Sequence, residues 1–307
     1  MLRTTVIIIA ILAVASIGSA DIYQAFDGGA TPGGWTIQGS DGTGMATPGT
    51  AMDDNDFFGV GGSHSDGDYL RLTEIDPYER ASAFWTHDVH MSDNWTLTMD
   101  IRLGVTHDGS EPSSYPADAD GLTFTWLDAS TVGSNPDLLG GYGDWQAAPR
   151  GSGNNGDLGY VSGIEGYSFQ FDHHHNTGQL SDEYTVMRDV SDWSALSGSS
   201  INFVGDTNFY YNDGWQTVRL DNNNGNFTFS YGPGLANNYT WSVANMPSFD
   251  TYFGVTAGTG DSRSYQEIRN FDLDAVLAPE PGTMALLLIG LSAGGAWIRR
   301  RRNGDVA

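Results

Sequence analysis

The chain has 307 residues, 39% of them hydrophobic, which is enough for one large all-β domain or two small ones. It has no cysteine, which excludes disulfide staples and thiol chemistry, and no lysine, so all thirteen basic residues are arginine. With 38 acidic residues the formal net charge is −25, a field that repels nucleic acid and anionic lipid surfaces and favours cations.

The N-terminus reads as an address. Arg3 precedes an apolar run from Val6 to Val14, and Gly18-Ser19-Ala20 stand before Asp21. A charged start, a short apolar stretch and small residues at −3 and −1 predict a secretory signal over residues 1–20, cleaved by signal peptidase after Ala20. Export without cysteine suits a bacterial protein whose core is large enough to stand alone.

From residue 21 to 274 no segment of normal helical length carries a 3.6-residue period, and strand patterns recur instead. Trp95, Leu97, Met99, Ile101 and Leu103 alternate with Thr96, Thr98, Asp100 and Arg102. Leu122, Phe124 and Trp126 alternate with Thr123 and Thr125, directly after Asp120-Gly121. An aspartate at the start of a strand can set its carboxylate at a sheet edge, where it can accept hydrogen bonds from two sugar hydroxyls. The Gly-rich stretch from Gly140 to Gly156 reads as a long surface loop, with Tyr142 and Trp145 either stacking on a sugar ring or capping the sheets.

The run Tyr167-Ser168-Phe169-Gln170-Phe171-Asp172 alternates as a half-buried strand does, with Gln170 and Asp172 on one face and the three rings on the other. His173-His174-His175-Asn176 and Asp182 follow in a loop. Asp172, Asn176 and Asp182 offer hard oxygen ligands that suit Ca2+. Three adjacent histidines in an extended chain point alternately, so they do not converge on one tetrahedral zinc.

Val218 and Leu220 lead through Asn222-Asn223-Asn224-Gly225 to Phe227, Phe229 and Tyr231, the pattern of a hairpin. A third polar loop, Thr256-Ala257-Gly258-Thr259-Gly260-Asp261, precedes a strand marked by Ile268, Phe271 and Leu273. Many alternating strands joined by turns rich in Gly, Asn and Asp predict one all-β sandwich of two antiparallel sheets.

After a short linker, residues 275–278, come Pro279-Glu280-Pro281, an apolar segment from Met284 to Ile298, and Arg299, Arg300, Arg301 and Arg302. A short apolar helix that ends in a basic cluster stops translocation with the arginines on the cytoplasmic side. Residues 279–307 resemble the PEP-CTERM sorting signal of Gram-negative bacteria. The resemblance implies recognition by an exosortase, a transient inner-membrane anchor, removal of the tail, and delivery to the cell surface or an exopolysaccharide matrix.

Across residues 21–274, the order of the Ala119-Asp120-Gly121 motif, the Gly156-Asp157-Leu158-Gly159 motif, the Asp172 loop and the Thr-Ala-Gly-Thr-Gly loop resembles the L-type (legume-type) lectin domain. That implies a concanavalin A-like jelly roll and a calcium-dependent carbohydrate-binding function rather than an enzymatic one. The resemblance carries sugar binding onto the Asp120 carboxylate, the Gly156 backbone N–H and the Asn176 amide, with Gly260 and Asp261 in the specificity loop. It gives calcium to Asp172, Asn176, Asp182 and the backbone carbonyl of His174.

The family's second, transition-metal site has a glutamate where this chain has Gln170, and no histidine follows at the family's distance, which implies that this metal is absent. The partner that the resemblance implies is a glycan or exopolysaccharide; sandwiches of this kind often associate through their flat sheets, so a homo-oligomer stays open beside it, and the sequence does not give the oligomeric state. Two other readings remain open from sequence. One is a structural surface or matrix protein with no specific ligand. The other is a glycoside hydrolase of the same fold, although the Glu-x-Asp-x-Glu strand that would aim paired carboxylates is missing.

Overall fold

The structure, a computed structural model, describes residues 19–24, 34–40, 69–73, 80–85, 89–91, 94–104, 121–132, 138–140, 149–151, 164–172, 184–192, 194–202, 215–244, 246–247, 249–259 and 265–276. In chain order the strands are β1 (Ser19–Gln24), β2 (Trp35–Ser40), β3 (Leu70–Thr73), β4 (Arg80–Trp85), β5 (Val89–Met91) and β6 (Asn94–Gly104). β7 (Gly121–Asp128) runs into a four-residue helix, α1 (Ala129–Val132). Then come β8 (Leu138–Gly140), β9 (Pro149–Gly151), β10 (Gly166–Asp172), β11 (Tyr184–Asp189) and β12 (Ile201–Asn202). The last five are β13 (Gln216–Asn223), β14 (Asn226–Tyr231), β15 (Asn237–Ser242), β16 (Phe249–Gly258) and β17 (Tyr265–Val276). Among the described residues α1 is the only α-helix, and no helix is long and apolar enough to cross a membrane.

Two sheets stack into the expected sandwich. A seven-stranded sheet has the order β1-β17-β6-β13-β14-β15, with β3 also paired to β17. An eight-stranded sheet has the order β12-β11-β10-β7-β16-β4-β2, with β5 also paired to β16. Every register between these strands that is resolved here is antiparallel. This is the all-β, concanavalin A-like jelly roll read from the sequence, and Ala20–Val276 is one compact unit.

The core forms where the inward residues of both sheets meet. On β6, Trp95, Leu97, Met99, Ile101 and Leu103 are all buried, as their alternation predicts. Phe169 and Phe171 of β10 pack on Phe229 of β14, with ring centroids 5.0 Å and 5.9 Å away. Phe169 also stacks on Trp241 of β15 at 5.7 Å. These pairs tie the two sheets together at β10, and truncating one such ring costs about 3–5 kcal/mol.

The hairpin read around Asn222 to Gly225 is the tightest kind. Asn223 pairs with Asn226, leaving Asn224 and Gly225 as a two-residue turn with φ of 52° and 77°. Two positive φ values are what a type I′ turn requires, and Asn-Gly supplies them. The Gly225 N–H donates to the Asn222 side-chain oxygen at 2.9 Å, which pins the turn.

Three readings need correction. The Gly140–Gly156 stretch is not loop throughout, because β8 and β9 pair as a two-stranded ribbon at its start. β17 continues to Val276, so the strand takes in the first residues of the segment read as a linker. β10 is not half-buried, and β7 beside it is buried on both faces as well. Thr123, Thr125, Ser168 and Gln170 on their outward face are as buried as the core rings, because this face of the eight-stranded sheet is covered too.

Candidate functional site

The eight-stranded sheet brings to one end the strand termini that adjoin three of the four predicted site segments. Asp172, the last residue of β10, pairs with Gly121, the first of β7. Gly121 in turn pairs with Gly258, the last residue of β16. These three positions form one row across adjacent strands, each step about 5 Å. Asp120 is the residue before Gly121, the loop carrying His174, Asn176 and Asp182 follows Asp172, and Gly260 lies two residues beyond Gly258. Three segments far apart in sequence thus leave neighbouring strands at the same sheet end.

Gly121 is what allows this row to close up. Its φ is +125°, and a Cβ built there would fall 3.0 Å from the Phe171 carbonyl carbon and closer still to its oxygen. Any side chain would push β7 off β10, so the glycine of the Asp-Gly pair serves the strand contact as well as the turn. Phe171, locked in the core beside Asp172, fixes the other side of the step.

Asp172 lies on the face away from the core and is 5% exposed. On that face Gln170 Nε2 donates to Asp172 Oδ2 at 3.4 Å, and Arg188 Nε of β11 donates to Gln170 Oε1 at 2.8 Å. Thr125 and Ser168 exchange a hydroxyl hydrogen bond of 2.9 Å one rung further along. The hydroxyl of Thr123, in register between Gln170 and Thr256, is buried without a hydrogen-bond partner.

Of the sequence-predicted site residues, Asp172 is the described one. Asp120, Gly156, His174, Asn176, Asp182, Gly260 and Asp261 lie outside the described residues. So do His173, His175, Tyr142 and Trp145, residues 1–18, and the sorting residues Pro279, Glu280, Pro281 and Arg299 to Arg302. Among the described residues no group of three or more His, Cys, Asp and Glu could hold a metal ion. Asp172 itself is a hard carboxylate donor at the mouth of the proposed loop, the chemistry a calcium ligand needs.

Sequence reasoning missed Arg188. The stretch Thr185-Val186-Met187-Arg188 has apolar residues on both faces, so it shows no clean alternation. Its partnership with Gln170 depends on the β10–β11 register, which sets Arg188 opposite Ser168 and diagonal to Gln170.

No family model and no curated protein sequence matches the chain. Solved structures do resemble it. A lectin from Bauhinia forficata in complex with GalNAc has a TM-score of 0.53 and 13% identity over 85% of this chain and 100% of its own. The metal-free lectin I-B4 from Griffonia simplicifolia gives 0.53 and 15% over 84% of this chain and 100% of its own. The exoplasmic/lumenal domain of VIP36, in a Ca2+- and mannose-bound form, gives 0.50 and 14% over 85% of this chain and 91% of its own. At such identities the likeness is one of fold.

Proposed function

We propose that this chain is an exported glycan-binding protein, not an enzyme, with a calcium-braced sugar site at the end of the eight-stranded sheet. The observation that carries the reading is the Gly258–Gly121–Asp172 row, from which the three candidate loops depart. The lectin fold supports the ligand class, since the Bauhinia lectin is described with GalNAc and the VIP36 domain with mannose.

In this reading Asp172, Asn176, Asp182 and the His174 carbonyl hold Ca2+. When bound, the ion supplies a fixed positive centre that stiffens the loop beside the sugar. The Asp120 carboxylate accepts hydrogen bonds from two sugar hydroxyls, while the Asn176 amide and the Gly156 N–H donate to the ligand. Gly260 and Asp261 sit in the loop that selects among sugars. The N-terminal signal and the PEP-CTERM-like tail deliver the protein through signal peptidase and an exosortase to the cell surface or the exopolysaccharide matrix.

A broad glycan array probed in calcium and again in EDTA tests the reading. The expected result is binding in calcium that is lost in EDTA and lost in Asp120→Asn with the fold retained. Equal signals in both buffers would remove calcium from the account. A folded protein that binds no glycan would instead be a structural coat protein.

A further inference from the structure

We propose that Arg188 is a positioning residue for the Asp172 carboxylate, acting through Gln170 as a built-in organic cation beside the calcium loop. The proposal rests on the reading of Asp172 as a calcium ligand and deepens it.

The relay has a defined direction. A guanidinium can only donate hydrogen bonds, so the oxygen of the Gln170 amide must face Arg188, as its 2.8 Å contact has it. The amide N–H2 is then turned the other way, toward an ionised carboxylate that can only accept. That is the contact to Asp172 Oδ2, at 3.4 Å. The charges at the two ends therefore decide which way round Gln170 sits, and the orientation steers one oxygen of Asp172. All three side chains are buried, at 9%, 1% and 5% exposure, where such polar links are strongest.

Arg188 is itself on firm ground. The segment after β11 folds back on it: Leu196 N–H donates to the Met187 carbonyl at 2.8 Å and Asp189 N–H to the Ser194 carbonyl at 3.0 Å. The Met187 N–H donates to Ser199 Oγ at 3.1 Å, and Arg188 bridges to Ala195. The guanidinium is thus presented from a pinned strand rather than from a loose loop.

The same geometry disagrees with a second divalent metal on the Gln170 side. The only oxygen of the Gln170 side chain already accepts from a guanidinium, and a metal ion there would meet a fixed like charge. This chain meets the need for positive charge on that side with its own arginine.

The test is a calorimetric titration with Ca2+ alone, paired with thermal unfolding in EDTA, on the wild type, Arg188→Met, Arg188→Lys and Gln170→Leu. Outer-shell partners of metal ligands are typically worth about 10- to 100-fold in affinity. The expected result is a loss of calcium affinity of about tenfold or more in Arg188→Met and Gln170→Leu, and recovery of most of it in Arg188→Lys, which keeps a donor-only cation. Gln170→Leu carries the test if Arg188→Met fails to fold, because it cuts the relay and leaves the arginine in place. Wild-type affinity in the folded relay variants, with only the unfolding temperature lowered, would show a merely structural arginine and overturn the proposal. A wild type that binds no calcium would overturn the calcium reading, and this inference with it.

Discussion

The Phe171 carbonyl oxygen stands where a β-carbon on Gly121 would have to be. This contact sets how closely β7 and β10 approach at the end where Asp120 and the Asp172 loop depart. Gly121→Ala forces that step apart and adds an unfavourable positive φ, at a cost of more than about 2 kcal/mol. Urea unfolding checks the stability, and a glycan-binding assay on the folded fraction should show binding lost with it. An alanine variant of wild-type stability would mean that the strands can part without penalty.

The outer face of the seven-stranded sheet holds a buried charge cluster. Arg71 Nε donates to Glu267 at 2.9 Å, Arg102 Nε donates to the other Glu267 oxygen, and Arg71 Nη2 donates to the Tyr69 hydroxyl at 3.0 Å. Trp215 lies under Arg102 and Arg269, 4.7 Å and 4.2 Å from their guanidinium carbons. Removing one partner of a buried ion pair leaves its mate uncompensated, so Glu267→Gln should lose about 3–5 kcal/mol by chemical denaturation. A loss under about 1 kcal/mol would show that the arginines are held by other means. Because the cluster lies on the other sheet, calcium affinity should be unchanged in the folded variant.

Two tyrosines titrate late. Burial, reinforced by Glu267, raises the pKa of Tyr69, and burial, with Asp189 and Glu165 nearby, raises that of Tyr167. The unfolded chain releases these protons near the ordinary value of about 10, before the folded one does. Their contribution to stability is therefore present below about pH 10 and is lost as pH rises through the raised values. Phenolate absorbance should show a late-titrating group that disappears in Tyr69→Phe and another that disappears in Tyr167→Phe. Both variants should flatten the alkaline fall in stability, and a curve identical to the wild type would exclude them as its cause.

The Asn224-Gly225 turn predicts a smaller, local effect. A Cβ at Gly225 would fall 2.6 Å from the Val243 carbonyl oxygen, at a φ of 77°. Gly225→Ala should cost about 1–3 kcal/mol. Hydrogen exchange should show the loss concentrated at the β13–β14 end, with the Asp172 row still protected. Uniform loss of protection across both sheets would contradict a local role.

Much of this architecture was legible from alternation alone. The five apolar residues of β6 and the β13–β14 hairpin stand where their period and turn residues put them. What alternation cannot say is whether the second face of a strand is covered. It reports which residues share a side, so it sets Gln170 and Asp172 on one polar face without showing that this face is buried too. Irregular strands hide as well. In β17 the spacing from Ile268 to Phe271 breaks the period, because the register shifts between Arg269 and Asp272 around Asn270 at φ 51°. The three-residue strands β8 and β9 are too short to show any period. Arg188 was invisible for a different reason: its role depends on which strand lies beside β10, and that is a property of register rather than of local sequence.

The most direct measurement is a calcium titration of the purified protein by calorimetry, with Asp172→Asn as the control. The account predicts saturable calcium binding in the wild type that is weakened by at least about tenfold in Asp172→Asn, with the jelly roll intact in both. No binding by the folded wild type, or equal binding by the two proteins, would contradict a calcium-braced site at the end of β10.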